Sequence, residues 1–347
     1  MEYLTEELTL KTFDRRIPFD VSFELTRRCN QSCGMCYQPH GRNPEMDTEA
    51  VRTVLRKLAA AQCLFLTFTG GEIFLREDIL ELTDFATDLG FAVTLKTNGI
   101  LLDAATIERI RECSVMEVHV SLLGGSAAAH DGVTGVPGSF DAVCRAVGAM
   151  RQRGITVVIM APITRGMVDE MESIHWRARE WGIDHVVFSA LLFPRTPGDR
   201  SIEKYRMTDE ELRRYYATFW KIFGSGAEEE LPCRSVPEDE RLLSCTALQN
   251  GITITPDGTV IPCSSLPIPL GNILEDTLEA ILFSEKADRI IEGLQLSSTP
   301  VCAACADRIG CLRCPGLAYM DNARFGTVPR EACRHNEAFK SVTECRP

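Results

Sequence analysis

Cysteine is the residue whose placement first asks for chemistry. The chain of 347 residues holds 15 of them. Cys29, Cys33 and Cys36 form C-x3-C-x2-C. Three thiolates this close can converge on one metal centre. A structural zinc wants a fourth ligand. An iron–sulfur cluster held by three cysteines instead keeps one iron open for another partner. The spacing alone leaves both readings standing. A second set lies far downstream: Cys245, twelve residues, Gly258, four residues, Cys263, then Cys302-x2-Cys305-x5-Cys311-x2-Cys314, and finally Cys333. Paired C-x2-C units are also the usual zinc-ribbon signature, so zinc stays open here too.

Cys63, Cys113 and Cys144 sit in or beside apolar runs, where a free cysteine behaves as a small hydrophobe. His119, His175 and His185 read as structural for the same reason. The chain is 45% hydrophobic and long enough to bury a core without covalent staples. Its 37 Lys and Arg stand against 49 Asp and Glu, a net charge of −12. That balance argues against a general nucleic-acid binder. No apolar run approaches the roughly 18 residues of a membrane span. Residues 1–7 are acidic, where a secretory signal would be basic. The expected compartment is the cytoplasm. Thiols there stay reduced, so the cysteines point to metal or catalysis rather than to disulfides.

The elements that must position these thiols alternate. Strand-like runs fall at 21–26, 64–69, 92–97, 116–122, 156–161 and 186–191. Helical stripes lie between them: Val51, Val54, Leu55 and Leu58; Phe140, Val143, Val147 and Met150; Met171, Ile174, Ala178 and Trp181. The strongest runs from Leu212 to Phe223 behind a capping box of Thr208 and Glu211. Six such repeats imply a parallel sheet covered by helices. An open doubly wound sheet and a barrel, whole or partial, both satisfy the periodicity. Either way, reactive groups belong on loops at the C-terminal ends of strands. The first cysteine group follows the first strand. The next strands end in Thr69-Gly70-Gly71-Glu72, Thr97-Asn98-Gly99 and Val120-Ser121-Leu122. The two glycines let a ligand approach the backbone closely. Beyond Phe223 the repeats stop, residues 224–237 read as a linker, and one hairpin is expected at 252–261 around Pro256-Asp257-Gly258.

This combination resembles the radical S-adenosylmethionine (SAM) enzymes over about residues 18–223. The resemblance implies a partial (β/α)6 TIM barrel, an α/β fold. It implies that Cys29, Cys33 and Cys36 hold a catalytic [4Fe–4S] cluster whose free iron binds SAM. Gly70, Gly71 and Glu72 would contact the methionyl amino group, and Asn98 and Ser121 the ribose or carboxylate. Met35 stands where many members carry an aromatic residue near the adenine. The downstream cysteines resemble a SPASM domain, a C-terminal cysteine-rich extension with two auxiliary [4Fe–4S] clusters. Three clusters are expected in all. Cys245, Cys263 and Cys314 would serve the nearer auxiliary cluster. Cys302, Cys305, Cys311 and Cys333 would serve the farther one. The family pattern has three residues between the last two paired cysteines, whereas Cys311 and Cys314 are separated by two. Cys233 is the candidate for a fourth ligand of the nearer cluster. The expected division is an N-terminal segment 1–17, a radical SAM barrel 18–230 and a SPASM domain 231–347.

The resemblance implies a radical enzyme. A reduced cluster cleaves SAM, and a 5′-deoxyadenosyl radical abstracts a hydrogen atom from the substrate. Two stretches, 63–98 and 133–140, look like those of enzymes that mature ribosomally made peptides. The expected substrate is a peptide or protein, modified by crosslinking, oxidation or epimerisation. A separate leader-peptide recognition protein and a low-potential donor such as flavodoxin or ferredoxin would be the partners, without nucleic acid or membrane. The alternative within the superfamily is a tetrapyrrole side-chain decarboxylase or oxidase. The alternative outside it is a non-catalytic iron–sulfur or zinc scaffold.

Overall fold

The computed structural model describes residues 10–13, 15–39, 44–224 and 245–342. Six parallel strands form its centre: β1 (Asp20–Thr26), β2 (Phe65–Gly70), β3 (Ala92–Thr97), β4 (Glu117–Ser121), β5 (Val157–Pro162) and β6 (Val186–Ser189). They pair in chain order. Seven helices connect or follow them: α1 (Thr48–Ala60), α2 (Ile79–Asp88), α3 (Ala104–Glu112), α4 (Ala127–Thr134), α5 (Ser139–Gln152), α6 (Glu170–Glu180) and α7 (Asp209–Phe223). β6 and β1 do not meet, so the sheet is open and matches a partial TIM barrel.

Alternation along the strands explains the layers. Val21, Phe23, Leu66, Phe68, Val93, Leu95, Val118 and Val120 are fully buried against the helices. Their neighbours Ser22, Thr67, Thr69, Lys96, His119 and Ser121 fall on the opposite face, because successive side chains alternate. The core is therefore outside the sheet, and the inner face is left polar. Helix starts carry their own signals. Asp47, Asp103 and Ser126 cap α1, α3 and α4 through their side chains. Thr208 and Glu211 form the capping box of α7.

The hairpin of β7 (Gly251–Ile254) and β8 (Thr259–Ile261) is present, and it is not free-standing. β7 pairs in parallel with β1 from Asp20↔Gly251 to Phe23↔Ile254, and β9 (Gly271–Asn272) follows β8. The nine strands make one sheet. No further element is read from the sequence beyond this hairpin. Five helices follow instead: α8 (Leu278–Leu282), α9 (Glu285–Leu294), α10 (Pro300–Ala303), α11 (Pro315–Asn322) and α12 (Arg330–Val342). α9 buries Ala287, Ile290, Ile291 and Leu294 behind a Ser284 cap. The Ala287, Ile290, Ile291 and Leu294 spacing is an ordinary helical stripe, present in the sequence though not read from it above. Tyr216 of α7 packs edge-on against Phe339 of α12. Buried Arg206 donates to Asp321 of α11 at 2.8 Å and to the Leu192 carbonyl at 3.1 Å. No described helix is long and apolar enough to cross a membrane.

Candidate active site

The first cysteine group occupies the loop after β1. Its backbone is tied at several points. Ser32 donates to the Thr134 carbonyl at 3.1 Å, Cys36 to that of Cys33 at 3.1 Å, and Arg195 to that of Cys36 at 2.9 Å. Buried Gln38 donates to Glu24 of β1 at 2.7 Å. A Cβ on Gly34 would lie 2.0 Å from the Tyr205 hydroxyl, so a larger residue there would have to displace the Tyr205 side chain. The 133–140 stretch supports this loop from beside α4. Gly135 ends α4 at φ +70°. The Asp131 carboxylate accepts from the backbone of Gly138 and Phe140 and from the Ser139 hydroxyl.

The three thiols lie near enough to feel each other's charge. Burial pushes the Cys33 thiol up to about 12, and Cys36 and Cys29 add repulsion. Burial also raises Cys29 and Cys36. A cationic centre would offset both causes and favour the thiolates. Burial pushes the neighbouring Tyr37 up to about 12 as well.

The strand ends meet this loop. Gly70 has φ +136°, and a Cβ there would stand 2.2 Å from the Thr26 carbonyl. A Cβ on Gly71 would stand 2.2 Å from that of Arg28. The Gly71 and Glu72 amides donate to those same carbonyls at 2.8 Å. The glycines thus let β2 and the cysteine loop touch, besides leaving backbone open to the cavity. Glu72 is fully buried and does not line the cavity. Its carboxylate accepts from Thr97 at 2.8 Å, from the Asn98 amide at 2.7 Å and from the Phe74 amide at 3.1 Å. Asn98 in turn donates to Asn30 at 2.7 Å.

A cavity of about 480 Å³ opens inside the sheet. Cys29, Cys33, Met35, Cys36, Gly70, Gly71, Asn98 and Ser121 line it. Ser264 and Ser265, beside Cys263, close one side. Lys96, not singled out from the sequence, and His119, read there as structural, line it too. The available signal was a lysine in an otherwise uncharged strand, two residues before Asn98 and hence on its face.

The downstream cysteines form two further groups. Cys263, pushed up to about 12 by burial, feels Cys245 and Cys314. Cys314 caps α11, with its sulfur accepting from the Leu317 amide at 3.3 Å. Arg313 lies close enough to Cys245 and Cys314 to favour their thiolates. Cys311, pushed up to about 11 by burial, feels Cys333, Cys302 and Cys305. Beside this last group, buried Tyr216 and His335 share a 2.8 Å hydrogen bond. Among the described residues, no three His, Cys, Asp or Glu are set to hold a single metal ion. Cys233 lies outside the described residues, as do Cys345 and the expected boundary near 230. Cys63 and Cys113 are buried, and Cys144 is half-buried.

The model of the radical SAM superfamily matches residues 23–176, and that of the SPASM iron–sulfur cluster-binding domain matches 245–306. The chain is a radical SAM superfamily enzyme with a SPASM domain. It is 26% identical over 326 residues to an AdoMet-dependent heme synthase of Methanosarcina barkeri, covering 86% of this chain and 91% of that one. It is 27% identical over 317 residues to a PqqA peptide cyclase of Ruegeria pomeroyi, covering 87% and 84%. In fold it is similar to native anSMEcpe with bound AdoMet, with a TM-score of 0.76, 17% identity, and 93% and 96% of the two chains covered. These domains indicate iron–sulfur clusters and SAM as cofactors.

Proposed function

We propose that the chain modifies a side chain of a peptide or protein substrate by radical chemistry. The carrying observation is the cavity. At about 480 Å³ it is within the range of a single small-molecule pocket. With SAM held near Cys29, Cys33 and Cys36, the cavity would admit part of a substrate, such as a side chain, rather than a whole peptide. The relationship to a peptide cyclase supports this reading.

Cys29, Cys33 and Cys36 would hold the cluster that binds SAM. Cys245, Cys263 and Cys314, and Cys302, Cys305, Cys311 and Cys333, would hold two auxiliary clusters, with Cys233 as the further ligand of the nearer one. When bound, the cluster and SAM supply a reducing electron, a cleavable sulfonium bond and a carbon radical able to take a hydrogen atom. The chain's own residues position them. Gly70 and Gly71 present backbone to the methionyl end, and Asn98 and Ser121 offer polar groups beside it. Glu72 fixes Asn98 through its backbone, and Met35 gives an apolar, polarizable wall. Leu123, Leu192 and Phe193 exclude water on the same side.

The relationship to a heme synthase favours a second reading, in which a tetrapyrrole side chain enters the same cavity. The test is anaerobic turnover by reconstituted, reduced enzyme. One reaction contains short peptides encoded beside its gene, and the other a propionate-bearing tetrapyrrole. Mass spectrometry should find a changed peptide together with 5′-deoxyadenosine. A changed tetrapyrrole with unchanged peptides would replace the first reading by the second.

A further inference from the structure

The cavity is nearly uncharged apart from its cysteines. Lys96 is the one Lys, Arg, Asp or Glu among the described residues lining it. It is also a cation without a hydrogen bond or ion pair to any described residue. Asp20 and Glu117 attract it only from a distance. Glu117 is engaged elsewhere: its carboxylate meets His119 Nε2 at 2.5 Å. His119 is the register neighbour of Lys96 across β3 and β4. Burial outweighs the Glu117 contact and lowers the His119 pKa, so at neutral pH the ring adds no second positive charge. Burial likewise lowers the Lys96 pKa, with Asp20 and Glu117 opposing the shift.

Depth separates this lysine from the cofactor level. Asn98 bonds to Asn30 within the cysteine loop. Lys96 lies two residues earlier on the same face, about 7 Å deeper at the usual strand rise. Met160 and Val187, aligned across β5 and β6, supply apolar wall nearby. The ammonium is partly desolvated, and Asp20 and Glu117 attract it without a hydrogen bond, so an anion that enters and bonds it directly would offset part of the desolvation cost. The wall suits an alkyl stem, and the floor suits an anionic tip.

We propose that Lys96 anchors a carboxylate of the substrate at the floor of the barrel cavity. This rests on the radical reading above and names the chemical group that the cavity selects. A glutamate or aspartate side chain of a peptide and a propionate of a tetrapyrrole both present that group on a short alkyl stem.

The test uses SAM-loaded, reconstituted holoenzyme without reductant and two probe pairs. One pair is a capped Ala-Glu-Ala tripeptide and its Ala-Gln-Ala counterpart. The other is a propionate-bearing porphyrin and its methyl ester. Equilibrium dialysis should show one carboxylate probe binding about tenfold or more tighter than its uncharged partner, the scale of a charge-assisted hydrogen bond. The pair that discriminates identifies the source of the carboxylate. Lys96→Met should remove the preference, and Lys96→Arg should keep part of it. The wild-type comparison needs no variant, so a folding defect cannot mask it. Equal binding within both pairs, no binding of either acid, or a preference that survives Lys96→Met would overturn the proposal. So would loss of SAM binding in Lys96→Met with the preference intact, since that assigns the lysine to the carboxylate of SAM. Cleavage of SAM by reduced wild-type enzyme is measured separately; its failure removes the radical reading, whereas the binding pairs judge the anchor.

Discussion

Two sets of cysteines carry the same thiol in different settings. The three after β1 line a cavity, beside strand ends stripped of side chains at Gly70 and Gly71. The seven from Cys245 to Cys333 flank the β7–β8 hairpin and lie among the helices after it, with Arg313 beside one group and the Tyr216–His335 bond beside the other. The first setting leaves space for a molecule next to the sulfurs. The second set lies away from that space, with Cys305 exposed and the others half-buried, and among the described residues only Ser264 and Ser265 of its loops line the cavity. The contrast suggests a division of labour: bond cleavage at the first group, and electron handling or support at the others.

The sharpest break of this comparison is a pair of cysteine replacements. Joint substitution of Cys29, Cys33 and Cys36 by Ala should abolish 5′-deoxyadenosine formation, read by chromatography. Substitution of Cys302, Cys305 and Cys311 should leave measurable SAM cleavage while product formation is lost. Iron per chain should fall from about twelve to about eight in each variant. Equal loss of cleavage in both would erase the division.

A smaller effect tests why the strand end is bare. Gly70→Ala combines a positive φ with a clash against a backbone carbonyl, and should cost about 4 kcal/mol in chemical denaturation. Gly148→Ala, in the interior of α5 with nothing within 4 Å, should instead stabilise by about 0.5 kcal/mol. A tolerated Gly70→Ala would mean that the loop does not press on β2 as described.

The support of the cysteine loop also has a pH signature. His130 of α4 is buried, and its Nδ1 accepts from the Leu123 amide at 3.0 Å. Burial holds its pKa down to about 4. The unfolded chain takes up a proton near 6.5, so stability falls as pH drops from there towards 4. The loss from this group reaches about 3 kcal/mol at the low end. His130→Asn should flatten that part of the stability curve measured by denaturation against pH. An unchanged slope would remove His130 from the account.

Much of this was legible before the fold. Cysteine spacing, the Gly-Gly-Glu strand end and six β-α repeats mark the chemistry and its frame, because they are local patterns. The hairpin at 252–261 was legible as a turn between β-branched runs. Its parallel union with β1 was not, because strand pairing between residues 231 apart leaves no local trace. The role of Glu72 was also hidden. Its neighbours suggest a ligand contact, but its carboxylate is consumed by Thr97, Asn98 and Phe74. Lys96 lies two residues before Asn98 and so on its face, and His119 is its register neighbour, but that this face encloses a cavity depends on the curvature of the whole sheet.

The sequence by itself determined the spacing of the cysteines, the order of strands and helices as far as Phe223, and the polar tips that follow the strands. Residue type and short-range periodicity are enough for that. Only the tertiary structure decided which thiols meet, that β7 extends the barrel sheet, and that a lone lysine faces the cavity. Those outcomes depend on burial and on contacts between distant segments, where desolvation sets what each charge costs and what it can hold.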